Sequence, residues 1–160
     1  MNGMKQLSSG AWVRPAVASD LPRIAELLEA DALGPAGGLP GPSADGYARA
    51  FEEICEEPSN ELWVATRADG DVIGTLQLVF FTTLSWNAAR RAQLAGVRVA
   101  ESERGQGTGS DFVRWAVERA RSKGCRLVQL SSDKRRTAAH RFYARLGFVP
   151  SHEGLRLVLQ

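Results

Sequence analysis

Apolar residues recur along this chain at two spacings, and the switches between them divide it into elements. Leu21, Ile24, Leu27 and Leu28 share one helical face, with Ser19 or Asp20 placed to cap the helix. A second helix is predicted from about Ala44 to Glu56, carrying Tyr47, Ala50, Phe51 and Ile54 at helical spacing and ending before Pro58. Between them, Leu33 to Ser43 holds four glycines and three prolines, a long loop of the kind that forms lids over functional sites. Strand-like runs follow: Glu61 to Arg67, the turn Ala68-Asp69-Gly70-Asp71, then Val72 to Phe81. After a polar stretch around Ser85 to Arg91 a third strand reaches Val99, and the three are expected to form an antiparallel meander.

The helical period returns with Phe112, Val113, Ala116, Val117 and Ala120, which predict a helix over 111–123 stopped by Gly124. Arg126 to Ser131 is a short buried strand, and Thr137 to Leu146 a helix ended by Gly147. Phe148-Val149 and Leu155 to Leu159 are expected to finish the sheet as strands around a turn over 150–154. Trp12 to Arg14 is a short extended segment halted by Pro15. Residues 1–10 lack a pattern and read as a loose tail, leaving 11–160 as a single domain.

Composition narrows the class. At 160 residues one domain can bury a core without a disulfide or metal, and a net charge of +2 is too small to indicate nucleic acid. The basic excess is local: Arg104, Lys134, Arg135, Arg136 and Arg141 cluster in two stretches, as a polyanionic cofactor would require. Cys55 and Cys125 have no histidine or cysteine at metal-ligand spacing, so no metal is expected. No signal segment or long apolar run is present, which points to a cytoplasmic protein without membrane contact.

The candidate chemistry begins at Val97-Arg98-Val99, where a strand end passes through a polar turn into Arg104-Gly105-Gln106-Gly107-Thr108-Gly109 and then a helix. Glycines let the backbone approach a ligand, and the helix start adds its positive dipole end, so the loop suits a phosphate. A dinucleotide fingerprint fails because its third glycine would fall on Ser110. A nucleotide-triphosphate loop fails because Gly109 is followed by Ser110-Asp111 instead of Lys-Ser/Thr.

With Arg104, Gly107 and Gly109 the loop resembles the Gln/Arg-x-x-Gly-x-Gly/Ala signature of the GNAT superfamily of N-acetyltransferases. A second block, Ala138 to Phe148, resembles that family's helix with a tyrosine followed by Leu-Gly-Phe, and the resemblance extends from about Val13 to Leu159. It implies an α/β GNAT fold: a mixed, mostly antiparallel twisted sheet of about six or seven strands, flanked by about four helices. It also implies a V-shaped splay between the two central strands. The implied activity is transfer of an acetyl group from acetyl-CoA to a primary amine by direct attack. The acceptor is expected to be a small molecule, and the long loop suits a lid over a small pocket. Acetylation of a protein lysine or N-terminus, or acyl-CoA binding without catalysis, are the alternatives. Exposed edge strands add the expectation of a homodimer.

By the same resemblance, backbone groups from Arg104 to Gly109 surround the pyrophosphate, while main-chain groups near Val97 and Val99 pair with the pantetheine arm. Tyr143 is the expected proton donor to the departing thiolate, since a phenol near pKa 10 matches a thiol near 8.5. Two positions depart from the pattern. Where many relatives carry a glutamate, two residues before Val97, this chain has Ala95, which leaves deprotonation to another acid such as Asp31, Asp45, Glu52 or Glu53, to Gln93 through a water, or to no dedicated residue. Where an asparagine is common, seven residues before the tyrosine, it has Arg136. The run Ser132 to Arg136 resembles a subgroup that includes acetyltransferases of small amines, aminoalkylphosphonates among them. That leaves three readings of Arg136 and Lys134: contact with the cofactor phosphates, attraction of an acidic group on the substrate, or a solvated basic loop.

Overall fold

The computed structural model describes residues 3–30 and 41–159. Six strands form one sheet in chain order: β1 (Lys5–Gln6), β2 (Trp12–Pro15), β3 (Asn60–Thr66), β4 (Val72–Thr82), β5 (Arg90–Val99) and β6 (Leu127–Leu130). Neighbours are antiparallel except β5 and β6, which run parallel and are linked through a helix, as a parallel pair requires. The main helices are α1 (Leu21–Ala30), α2 (Ala44–Glu56), α3 (Thr108–Ser122) and α4 (Thr137–Arg145). The mixed, mostly antiparallel sheet flanked by helices is the expected architecture.

Strand alternation sorts the side chains onto two faces. Trp63, Ala65, Leu76, Leu78, Phe80, Ala92 and Leu94 are buried in one cluster with Phe112, Val113, Ala116 and Ala120 of α3. The fully buried Phe112 is the largest side chain at its centre, and truncating such a ring costs about 3–5 kcal/mol. On the opposite face α1 lies against β4 and β5, burying Ile24 and Leu27. Arg14 of β2 holds Asp20 through Nη1 and Nη2 at 2.7 and 2.9 Å. Asp20 does not cap α1 from the front; its Oδ2 reaches back to accept from Val17 N at 2.8 Å.

Other expectations change. From Lys5 on, the anticipated loose tail is the first strand plus a turn in which Leu7 N donates to Ala11 O, and Leu7 joins the core. The helix expected from 111 begins at Thr108, because Gly107 supplies a left-handed cap at φ +86°. The polar stretch after β4 contains a left-handed turn, with Trp86, Asn87 and Ala88 all at φ near +55°. Most of the Gly/Pro-rich loop, and Asp31 with it, lies outside the described residues.

The largest departure is at the C-terminus. Phe148 packs against the core, yet 149–159 form no strand, and Leu155, Leu157 and Leu159 are 95%, 86% and 80% exposed. Alternation fixes which face of a strand is apolar but does not supply the neighbour that makes it a strand.

Candidate active site

Pairing between β5 and β6 runs from Arg91↔Leu127 to Leu94↔Leu130 and goes no further, whereas β5 stays paired with β4 as far as Gly74↔Val99. From Ala95 to Val99, therefore, the edge of β5 away from β4 has no strand partner among the described residues. This is the expected V-shaped splay.

A bulge sits at its apex. The β4–β5 register passes from Gln77↔Ala95 to Thr75↔Arg98, so Leu76 faces both Gly96 and Val97. Gly96 is at φ +58°, a left-handed conformation that glycine adopts without a Cβ clash. Such bulges bend a strand and raise its local twist. Here the bend falls two residues beyond the last β5–β6 pair.

The strand then enters the glycine loop. A short 3-10 turn over Glu101–Glu103 is tied to β3's following turn by Arg67, whose Nε donates to Glu103 Oε1 at 3.0 Å. Gly105 and Gly107 both have positive φ, +75° and +86°. The Asp111 N to Gly107 O bond, 3.0 Å, opens the helix, so the amides just before it are the orphan donors of a helix N-terminus. Gln106 uses its side chain to brace the turn, donating from Nε2 to Ser102 O at 2.7 Å. Thr108 is buried, 3% exposed, where the loop turns into the helix. A Cβ on Gly109 would come 3.5 Å from Val99 and 3.7 Å from Phe142, so this glycine seats the loop against β5 and α4. Asp111 is turned aside, accepting from Ser9 N at 2.7 Å. Arg104 and Ser102 border a polar cleft of about 550 Å³ shared with Arg23 and Glu26 of α1.

Tyr143 stands on α4 between Phe142 and Phe148, with ring centroids 5.1 and 5.6 Å away in edge contacts. Burial pushes its phenol above the ordinary value, while Arg98 and Arg136 pull the other way. The net shift is upward, so Tyr143 stays protonated through neutral pH. Arg136 is thus brought to the tyrosine, immediately before α4, while Lys134 is exposed. Asp133 accepts from Arg135 Nε and Nη2 at 3.0 and 2.9 Å, and Arg135 beside it holds its carboxyl far below the usual range. His140 bonds Asp133 O at 2.9 Å, and His152 lies against Trp86, so neither histidine joins Tyr143.

Val97 packs against the core, and its carbonyl already accepts from Arg98 Nη1 at 2.8 Å. Val99 lies beside the loop through Gly109. Past the splay, Gln93 and Gln129 are joined, Nε2 of Gln129 donating to Gln93 Oε1 at 2.9 Å. Register places Asn60, Gln77, Val79, Phe81, Arg91, Gln93, Ala95, Leu127 and Gln129 on this one face of β3–β6, with no carboxylate among them. Asp45, Glu52 and Glu53 are exposed on α2. Gly96, Arg98 and Arg91 were not singled out from the sequence; only Gly96, a glycine inside a strand pattern, carried a usable signal.

Among the described residues no group of three or more His, Cys, Asp or Glu is arranged for a metal, and no helix is long and apolar enough to cross a membrane.

Known proteins resemble this chain in sequence and fold. Residues 22–148 match the acetyltransferase (GNAT) family. A transcriptional regulator from Bacillus halodurans is 42% identical with a TM-score of 0.83, covering 92% of this chain and 98% of that one. An acetyltransferase from Trypanosoma brucei is 25% identical, TM-score 0.74, covering 93% and 99%. An aminoalkylphosphonate N-acetyltransferase from Salmonella typhimurium is 37% identical over 84 residues, 52% of this chain; the match spans about half of that relative, 54%. With the family match covering most of the sequence, and the splay, bulge and glycine loop in one continuous run, the chain belongs to the GNAT family of acetyltransferases.

Proposed function

We propose that this protein transfers the acetyl group of acetyl-CoA to the primary amine of a small molecule. The observation that carries the reading is the run from Leu94 to Gly109, in which β5 leaves β6 and enters a loop with left-handed glycines that opens a helix. Acetyl-CoA fits it: the amides ahead of Asp111, with Arg104, suit the diphosphate, and the unpaired edge over 95–99 suits an extended amide arm. When bound, the cofactor supplies the thioester that the amine attacks. Tyr143 holds a proton at Oη, kept there by burial, for the sulfur that departs. The small-molecule acceptor is supported by the Salmonella relative's named activity.

The acid-free face favours one rival, acyl-CoA binding without catalysis, and sets the form of the test. An amine near pKa 10 loses a proton more readily as pH rises, and without a carboxylate base the rate should follow that fraction. Release of CoA thiol should therefore climb about tenfold per pH unit between 7 and 9, with no fall from Tyr143 in that range because its pKa is raised. A panel of amines that leaves thiol release at the background hydrolysis rate would overturn the proposal.

A further inference from the structure

Arg91 is out of keeping with the other half-buried arginines whose partners are plain. Arg14 and Arg119, with side chains 23% and 33% exposed, are each bonded to a carboxylate, Asp20 and Glu61. Arg91 is likewise half-buried, yet among the described residues it meets only neutral groups. Nη2 donates to Thr83 Oγ1 at 2.5 Å and Nη1 to Gln129 Oε1 at 3.5 Å. The guanidinium lies over the Phe81 ring at 4.9 Å, and its Nε is buried without an acceptor. A cation partly withdrawn from water without a counter-charge is costly, and an arriving anion would relieve that cost.

Its position suggests which anion. Arg91, Gln93 and Ala95 alternate onto one face of β5, and that face leads straight to the splay where the amine must meet the thioester. Gln129, which Arg91 reaches, pairs with Gln93. The guanidinium is thus drawn forward to a level about two strand residues short of the splay, roughly 7 Å. The amides of Gln93 and Gln129 line the interval, and none of the described β3–β6 residues on this face is a carboxylate that would repel an acid.

We propose that Arg91 anchors the acidic end of the acceptor, so that the substrate is a short aminoalkyl acid whose phosphonate or carboxylate sits on this guanidinium while its amine lies at the splay. This rests on the transferase reading above. A planar guanidinium can present paired N–H donors to two oxygens of such a group, which fixes the acceptor's direction as well as holding it. A phosphonate, with more charge and more oxygens, should be preferred to a carboxylate on the same spacer.

The test compares aminoethylphosphonate, β-alanine and propylamine as acceptors for the wild-type protein, Arg91→Gln and Arg91→Lys. The wild type should favour aminoethylphosphonate over propylamine by about 10–100-fold in kcat/KM, mostly through KM. Arg91→Gln should collapse that ratio, and Arg91→Lys should restore part of it through charge without the paired geometry. Thermal shift by CoA alone, which does not involve this face, verifies that each variant is folded. Calorimetric titration of aminoethylphosphonate onto the CoA-saturated protein separates the two readings. Arg91-dependent binding without turnover would retain the anchor and remove the transferase. Equal kcat/KM for the phosphonate and propylamine in the wild type, or a ratio untouched by Arg91→Gln, would remove the anchor and leave the transferase standing.

Discussion

The two ends of β5 are built from different materials. At its C-terminal end, from Gly96 through Gly109, the distinguishing atoms belong to the backbone: a bulge, an unpaired strand edge and a loop held open by left-handed glycines. At its N-terminal end, around Arg91 and Gln93, they belong to side chains on an otherwise ordinary paired strand. A backbone site suits groups that many ligands have in common, such as a diphosphate or an amide chain. A side-chain site can change with each acceptor while the fold stays the same.

The most damaging way to probe that contrast is Gly107→Glu. It forces a side chain into φ +86° and places negative charge where the diphosphate belongs, although no atom lies within 4 Å of the new Cβ. Loss of the CoA-induced rise in melting temperature is expected, with the apo protein still cooperatively folded. A full shift in the variant would show that the loop does not hold the cofactor.

Next is Tyr143→Phe, which keeps the ring between Phe142 and Phe148 and deletes only Oη. We expect kcat to fall by about 10²–10⁴-fold with CoA affinity nearly unchanged. The defect should shrink for thioesters of more acidic thiols, whose thiolates need less help. A defect equal across that series, with chemistry limiting, would reduce Tyr143 to a packing residue.

The mildest probe is Gly96→Ala. A Cβ there would meet only Leu28 Cδ2, at an ordinary 3.7 Å, so the penalty is conformational. An alanine held at φ +58° costs about 1–2 kcal/mol. The melting temperature should drop by a few degrees, and because the bulge shapes the splay, kcat should fall more than stability alone would give. An unchanged kcat would mean that the splay persists without the bulge's geometry.

Much of this was legible in the sequence because it is repeated there. The α2 boundaries, Ala44 to Glu56, follow from helical spacing and Pro58, and the splay was implied once the Arg104, Gly107 and Gly109 pattern was recognised. What escaped is what pattern does not encode. Arg91 reads as one more strand arginine until the register shows which face it shares with Gln93 and Gln129. Arg98 gives no sign that its charge acts on the tyrosine, since forty-odd residues and a helix separate them in the chain. Thr108 sits inside the loop motif, and nothing in its spacing signals that it is buried. Lys5 and Gln6 have no pattern at all and are held in place by pairing with Val13 and Trp12.

The last five described residues have a practical consequence for anyone handling the protein. Leu155, Leu157 and Leu159 expose apolar side chains at every second position while β6, at the sheet's margin, keeps one edge of backbone donors and acceptors open. Sticky side chains and unsatisfied amides in one polypeptide are the ingredients of concentration-dependent precipitation. Charge introduced within this strip, as in Leu157→Lys, should therefore raise the concentration at which the protein stays in solution.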